Sequence, residues 1–162
     1  MANKTTGVFV GIYAQKSDAE ADYGDVKTLH DGGAIGFYDA AVITKDSDGR
    51  VHVNKDELTT RHGALVGGLL SILFPPALLV NVAAGALIGH LWRGLSRADM
   101  KDLGETLDSG EVALVVVAEL KGAETFVNEF SHANRRTEKL LDLDSNDLGE
   151  AIDAELGLAV AR

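Results

Sequence analysis

Cysteine is absent from this chain of 162 residues. Its absence excludes disulfide bonds, thiolate nucleophiles and cysteine-ligated zinc or iron–sulfur centres. Basic residues are also scarce, since 15 Lys and Arg stand against 25 Asp and Glu and give a formal net charge of −10. Because an acidic surface repels the phosphate backbone, we expect no nucleic-acid partner.

The usual sequence signatures of enzyme chemistry are missing as well. The chain contains no G-x-S-x-G elbow, no Walker loop and no G-x-G-x-x-G fingerprint. Histidines stand at positions 30, 52, 62, 90 and 132, and no two of them have the spacing that places two metal ligands on one helix or strand face. The sequence therefore predicts no catalytic residue, no cofactor and no metal ligand, and favours a non-enzymatic protein.

Residues 7–44 have the pattern of a strand, a helix and a second strand. Residues 8–13 are β-branched and aromatic, as in a strand buried on both faces. Ser17 and Glu20 have the spacing of a capping box, so we predict a helix over 17–31 that ends at two glycines. A second strand is predicted over 34–44, followed by a tight turn and a short returning arm at 51–53.

Residues 112–143 repeat this order, with strands predicted at 112–120 and 137–143 and a helix at 122–133. Two such units form the split βαβ arrangement of ferredoxin-like folds, with both helices on one face of a four-stranded antiparallel sheet. We therefore predict one α+β domain over residues 1–162, with an acidic amphipathic helix over 144–162. The opposite sheet face is also apolar, and a second sheet in a dimer is the expected cover.

The midpoint of the chain holds a segment without charge. No Asp, Glu, Lys or Arg occurs in residues 63–91, and two consecutive prolines interrupt it. Because proline disfavours helix in its own position and in the preceding residue, we predict a helical hairpin over 63–92. Its arms would measure roughly 18 and 24 Å, short of the roughly 30 Å of a bilayer core. A half-embedded hairpin, or one packed among subunits, fits better than a full crossing.

Small residues recur in this segment at four-residue intervals, a glycine-zipper pattern that lets helix backbones approach closely. Basic residues flank both ends, as expected for a loop entered from the cytoplasmic side. The residues predicted for oligomer or membrane contact are Gly63, Gly67, Gly68, Phe74, Pro75, Pro76, Ala77, Asn81, Gly85, Gly89 and Trp92, and the flanking basic residues are Arg61, Arg93 and Arg97.

The order of these features resembles that of a known family. The stretches Val-Phe-Val-Gly-Ile-Tyr at 8–13, Leu-Phe-Pro-Pro-Ala at 73–77, Ile-Gly-His at 88–90 and Gly-Glu-Val-Ala-Leu-Val-Val-Val at 110–117 are similar to an uncharacterised bacterial family, domain of unknown function 1269. The resemblance implies association with membranes. It implies no activity and no catalytic residues.

Three hypotheses for function follow from the sequence. The first is a self-associating protein that uses its glycine-zipper hairpin to form homo-oligomers and to contact membrane lipid. The second is a soluble ring, shell or filament in which hairpins are buried between subunits. The third is a dimeric ferredoxin-like enzyme or small-molecule binder with Tyr38, Asp39 and His52 around a pocket. Because the N-terminal residues lack the apolar core of a signal peptide, we expect a location in the cytoplasm or on the cytoplasmic face of the inner membrane.

Overall fold

A computed structural model describes residues 5–54, 79–80, 96–108, 110–120 and 130–144. These residues form a mixed, mostly antiparallel sheet with two helices, and the predicted α+β class is confirmed. In chain order the elements are β1 (Thr5–Tyr13), α1 (Lys16–Asp31), β2 (Ile35–Lys45), β3 (Val51–Asn54), β4 (Leu79–Val80), α2 (Arg97–Asp108), β5 (Val112–Leu120) and β6 (Arg135–Asp144).

The strand order in the sheet is β4-β3-β2-β5-β1-β6. Every neighbouring pair is antiparallel except β3 and β4, which are parallel. The two halves of the chain interleave, because β5 lies between β1 and β2. Val116 of β5, for example, pairs with Phe9 of β1 on one side and with Ala40 of β2 on the other. The register of β2 shifts between Ile35 and Tyr38.

Helix α1 packs on β2, β5 and β1 on one face of the sheet. Side chains of alternate strand residues point to the same face, so the even-numbered residues of β5 meet Phe9 and Tyr13 of β1 beneath this helix. The core on this side is Phe9, Tyr13, Ala19, Tyr23, Val26, Ile35, Tyr38, Ala40, Val42, Leu114, Val116, Ala118, Leu120 and Phe130, all of them buried.

Helix α2 lies on the opposite face, over β1 and β6. Its Thr106 Oγ1 is 2.8 Å from Thr137 Oγ1, and Lys139 of β6 pairs with Asp99 and Asp102 at 3.3 and 2.9 Å. Because Leu103 and Leu107 of α2 are buried, the helix turns an apolar stripe toward the strands.

The position of α2 over β1 and β6 corrects the expectation that a partner's sheet covers the second face. Thr137 pairs with Val10, so the α2 contact lies directly over β1, and both Val8 and Val10 are fully buried within one copy of the chain. The sequence here is typical of a helix, because Ser96 and Asp99 have the spacing of a helix start and Leu103 and Leu107 lie one turn apart. Ser96 Oγ accepts a hydrogen bond from the Asp99 amide at 3.0 Å, as expected of an N-cap serine.

The first helix begins earlier than its predicted capping box. It starts at Lys16 after an extended Gln15, and the Ser17 hydroxyl bonds the Gln15 side chain at 3.4 Å instead of a backbone amide. The Glu20 carboxylate lies 3.8 Å from the Lys16 ammonium, one helical turn away. The capping-box prediction is therefore wrong. Because the helix already begins at Lys16, Ser17 and Glu20 contact the side chains of Gln15 and Lys16 instead of backbone amides.

The end of α1 at the two glycines is confirmed. The Ala34 amide donates to the Leu29 carbonyl at 2.9 Å, and the Gly33 amide donates to the His30 carbonyl at 3.0 Å. This is the Schellman arrangement, which needs a left-handed residue. Gly33 supplies it with a φ of 80°.

Two alanine substitutions in and after α1 should have opposite effects on stability. Gly33→Ala is expected to lower the free energy of unfolding by about 1–2 kcal/mol, because a Cβ is unfavourable at positive φ. Gly24→Ala in the exposed helix interior should raise it by about 1 kcal/mol, since a new Cβ there meets no atom within 4 Å and alanine favours helix. Urea unfolding of both variants tests this, and a Gly33→Ala protein as stable as Gly24→Ala would contradict it.

The predicted turn between β2 and β3 is confirmed in detail. Asp46 Oδ1 accepts hydrogen bonds from the amides of Asp48 and Arg50, both at 3.0 Å, and Gly49 has a φ of 82°. The second carboxylate oxygen lies 3.0 Å from His52 Nε2. This hydrogen bond from His52 is the main reason why the pKa of Asp46 lies below its usual value.

Three of the predicted helices, those over 63–92, 122–133 and 144–162, are wrong at the few residues that the structure describes. Leu79 and Val80, predicted in the second arm of the helical hairpin, form β4 and pair with Val51 and His52 of β3. Residues 130–134 form a turn, so the helix predicted over 122–133 is wrong at its end, and residue 144, the predicted start of the last helix, ends β6. The other residues of 63–92, with 121–129 and 145–162, lie outside the described residues.

Candidate functional site

A fully buried carboxylate, that of Asp22, lies between α1 and the sheet. Asp22 occupies the same face of α1 as Ala19, Tyr23 and Val26, which are the other buried residues of this helix. Burying an unpartnered carboxylate is costly, so its two oxygens need donors. Tyr13 O–H, at the end of β1, donates to Oδ2 at 2.7 Å.

The second donor comes from the opposite half of the chain. His132, in the turn before β6, places Nδ1 2.6 Å from Asp22 Oδ1. Because an ionised carboxylate only accepts hydrogen bonds, Nδ1 carries the hydrogen of this contact. The bond fixes the orientation of the ring, whose side chain is 45% exposed. We call Tyr13, Asp22 and His132 the Asp22 network.

Further charges surround the Asp22 network. Asp18 and Asp25, on the same helix as Asp22, add negative potential near His132. The hydrogen bond to Asp22 and the charges of all three carboxylates raise the pKa of His132 above its ordinary value of 6.5. The imidazole therefore retains its proton to a higher pH than a solvent-exposed histidine would.

The pKa of Tyr13 is also raised, but for this residue a raised pKa favours the neutral form, because its charged form is the deprotonated one. Burial raises the pKa of this phenol strongly, and the hydrogen bond to Asp22 raises it further. The positive charge of Arg136 acts against this shift. Tyr13 is thus a neutral donor that holds Asp22, and it is not an acid at physiological pH.

Three side chains of this region carry atoms of the kind that bind metals. One atom each from Asp22, Asp25 and His132 lies within 4.8 Å of the others. Two ligands of one zinc ion are separated by roughly 3.4 Å, given metal–ligand distances of about 2.1 Å and tetrahedral angles. The 2.6 Å between His132 Nδ1 and Asp22 Oδ1 is instead a hydrogen-bond distance, slightly shorter than the roughly 2.7–2.9 Å usual for charge-assisted N–H···O bonds. The described geometry is that of a hydrogen-bonded pair.

Most of the residues predicted for oligomer or membrane contact fall on undescribed parts of the chain. Gly63, Gly67, Gly68, Phe74, Pro75, Pro76, Ala77, Asn81, Gly85, Gly89 and Trp92 lie outside the described residues, as do Arg61 and Arg93. Arg97 is described, and it is exposed at the first position of α2.

The predicted pocket residues Tyr38 and His52 are not brought together. Tyr38 is buried beneath α1, with its ring 5.2 Å from that of His30. His52 pairs with Thr44 of β2. Thr44 lies six residues after Tyr38 in the same strand, so the two positions are roughly 20 Å apart at the rise of a strand. The side chain of Asp39 lies outside the described set. These positions do not support a pocket formed by Tyr38 and His52 together.

A mixed, mostly antiparallel sheet with α1 on one face and α2 on the other defines an α+β protein. The chain belongs to the family described as protein of unknown function (DUF1269), whose model matches residues 60–153, more than half of its length. The family resemblance inferred from the sequence is thus confirmed. The match includes the uncharged segment, α2, β5, β6 and His132, whereas Tyr13 and Asp22 precede it.

The remaining comparisons add no relative of known function. No curated protein and no solved structure gives a significant match to this chain. Within the described part of the chain, neither helix has the length and apolar character that crossing a bilayer requires.

Proposed function

We propose that this is a non-enzymatic, self-associating protein in which residues 63–92 mediate homo-oligomer assembly and contact with membrane lipid at the cytoplasmic face. The observation that carries the proposal is the absence of any charged residue from 63 to 91 in a chain that is otherwise rich in charge. Each large apolar side chain left in water costs roughly 1.5–3 kcal/mol relative to its burial. A segment with this many apolar residues therefore favours a surface that covers it.

The ends of this segment favour a lipid surface as part of that cover. Arg61, Arg93 and Arg97 flank it, although the chain as a whole is acidic. Cytoplasmic membrane surfaces are negatively charged, and basic residues next to an apolar segment bind them at about 1 kcal/mol each. Local positive charge at both ends thus supports attachment in spite of the net charge.

For the scaffold we propose a ferredoxin-like fold with the uncharged segment inserted at its midpoint. Support comes from the order β2-β5-β1-β6, in which all neighbours are antiparallel, and from α1, which connects β1 to β2 across one face. This is the order expected of two interleaved βαβ units. The segment 63–92 falls between β3 and α2, outside these four strands.

A soluble oligomer is the second candidate, and the short strand β4 favours it. Leu79 and Val80 pair with β3, so this part of the uncharged segment contacts protein. If such contacts extend to neighbouring subunits, apolar segments bury one another without lipid. Homo-oligomers of this kind need no partner other than the same chain.

The full chain, purified without detergent, tests the proposal and separates its two forms. Light scattering should give a mass well above that of the 17.1 kDa chain, and vesicles that contain anionic lipid should carry the protein upward in a flotation gradient. Flotation supports membrane contact, whereas a defined oligomer that stays at the bottom supports the soluble form. A monomer that does not float would refute both.

Variants then assign the effect to the uncharged segment. Gly85→Leu combined with Gly89→Leu keeps the segment apolar but removes two of its small residues, so oligomers that need close helix contact should dissociate or change in size. Gly24→Ala, outside the segment, is the matched control and should leave the mass unchanged. Deleting residues 63–92 behind a short linker should abolish flotation. Unchanged mass and flotation after the deletion would contradict the proposal.

A further inference from the structure

Four contacts between described residues hold the turn formed by residues 130–134 against the sheet and α1. Phe130 stacks on Phe9 with ring centroids 4.2 Å apart, and the Phe130 carbonyl accepts a hydrogen bond from Arg136 at 3.2 Å. The Asn134 amide donates to the Ile12 carbonyl at 2.8 Å. The fourth attachment is the bond between His132 and Asp22, which joins the turn to α1.

This fourth attachment depends on a proton. Asp22 is fully buried, so its negative charge is poorly solvated, and the protonated imidazole of His132 brings a positive charge to 2.6 Å. Among the described residues, the charges of Asp18, Asp22 and Asp25 of α1 act on His132. Tyr13 of β1 donates to the other oxygen of Asp22, and Arg136 of β6 donates to the Phe130 carbonyl of the same turn. The surroundings of the ring on α1 are uniformly acidic.

We propose that His132 and Asp22 form a pH-dependent clasp, in which the protonated imidazole holds the 130–134 turn against α1 and loss of the proton loosens it. The neutral ring still donates from Nδ1, but it no longer offsets the buried carboxylate charge. Charge-assisted hydrogen bonds are roughly twice as strong as neutral ones, so deprotonation weakens this contact and leaves the other three in place.

The direction of the pH effect follows from linkage. The folded protein binds the His132 proton more tightly than the unfolded chain does, because the acidic surroundings raise the pKa of this residue. The stabilisation is therefore complete below about pH 6.5 and is lost as the pH rises through the higher value of the folded state. For each unit by which the pKa of His132 in the folded protein exceeds that in the unfolded chain, loss of the proton makes local opening of the turn about tenfold easier.

Nuclear magnetic resonance of the full chain, with a chelator present throughout, measures both the titration of His132 and the opening of the turn. Ring-proton titration should place His132 above 6.5, and the hydrogen-exchange protection factor of the Asn134 amide should fall across the same pH range. Protection factors are the proper readout, since they remove the intrinsic pH dependence of exchange. A His132 that titrates at or below 6.5 would overturn the proposal.

Two histidine variants give the matched comparison. His132→Gln places a neutral group at the partly exposed position and should make the Asn134 protection factor independent of pH. His52→Gln removes a second described histidine that pairs with an aspartate, at the turn between β2 and β3, and should leave the Asn134 profile as in the parent protein. Equal pH dependence in parent and His132→Gln would show that another group controls the turn.

Discussion

Phe9→Ala is expected to lower the free energy of unfolding by about 3–5 kcal/mol, the usual cost of removing a buried aromatic side chain. Phe9 has no exposed surface, lies in a central strand between β5 and β6, and stacks on Phe130, which is also fully buried. The sheet on both sides of β1 prevents collapse of the resulting cavity. Chemical denaturation followed by far-ultraviolet circular dichroism measures the loss.

The contribution of the ring stack itself needs a gentler pair of changes. Phe9→Leu and Phe130→Leu both retain apolar volume, and the double variant should be more stable than the sum of the two losses predicts, by about 0.5–1.5 kcal/mol. Additive losses would mean that the two rings contribute through burial alone. A change below 1 kcal/mol for Phe9→Ala would contradict its position in the core.

Asp22→Ala is expected to cost about 3 kcal/mol, since it removes two charge-assisted hydrogen bonds at once. The Tyr13 hydroxyl, whose residue is 3% exposed, would lose its acceptor in a place that water does not reach. Asp22→Asn has nearly the same shape and keeps one acceptor oxygen, so its loss should be smaller. Thermal and urea unfolding at one fixed pH provide the comparison.

Asp25→Ala is the control for this second prediction. Asp25 is on the same helix and close to His132, but it is only partly buried, and the hydrogen bond to Tyr13 belongs to Asp22. Its replacement should change stability by less than about 0.5 kcal/mol. If Asp25→Ala were as damaging as Asp22→Ala, the buried position of Asp22 would not be the cause.

Local patterns predicted much of the fold. Residues 112–120 were predicted as a strand and form β5 with the same bounds, because a run of β-branched and apolar residues there has no competing helix pattern. Gly33 and Gly49 marked a helix end and a turn, and each has the positive φ that glycine tolerates best. Leu103 and Leu107, one helical turn apart, likewise match the buried face of α2.

Tertiary placement was harder to predict, as α2 and Asp22 show. Periodicity gives the apolar face of α2 but not the strands that it covers, so the helix over β1 and β6 was missed and a partner sheet was expected instead. Asp22 has the helical spacing of a buried position, three residues after Ala19. That spacing was the sequence signal for the burial of Asp22. Its partner His132 could not be predicted, since it lies 110 residues away along the chain.

Strand β1 acquires both of its neighbours late during synthesis. Its partners are β5 and β6, which begin at Val112 and Arg135, whereas β1 ends at Tyr13. At a translation rate of about 5–20 residues per second, the nascent chain spends several seconds with its central strand unpaired. The uncharged segment at 63–91 leaves the ribosome within that interval, before the sheet can form. This apolar stretch therefore emerges while β1 still has no partner strand.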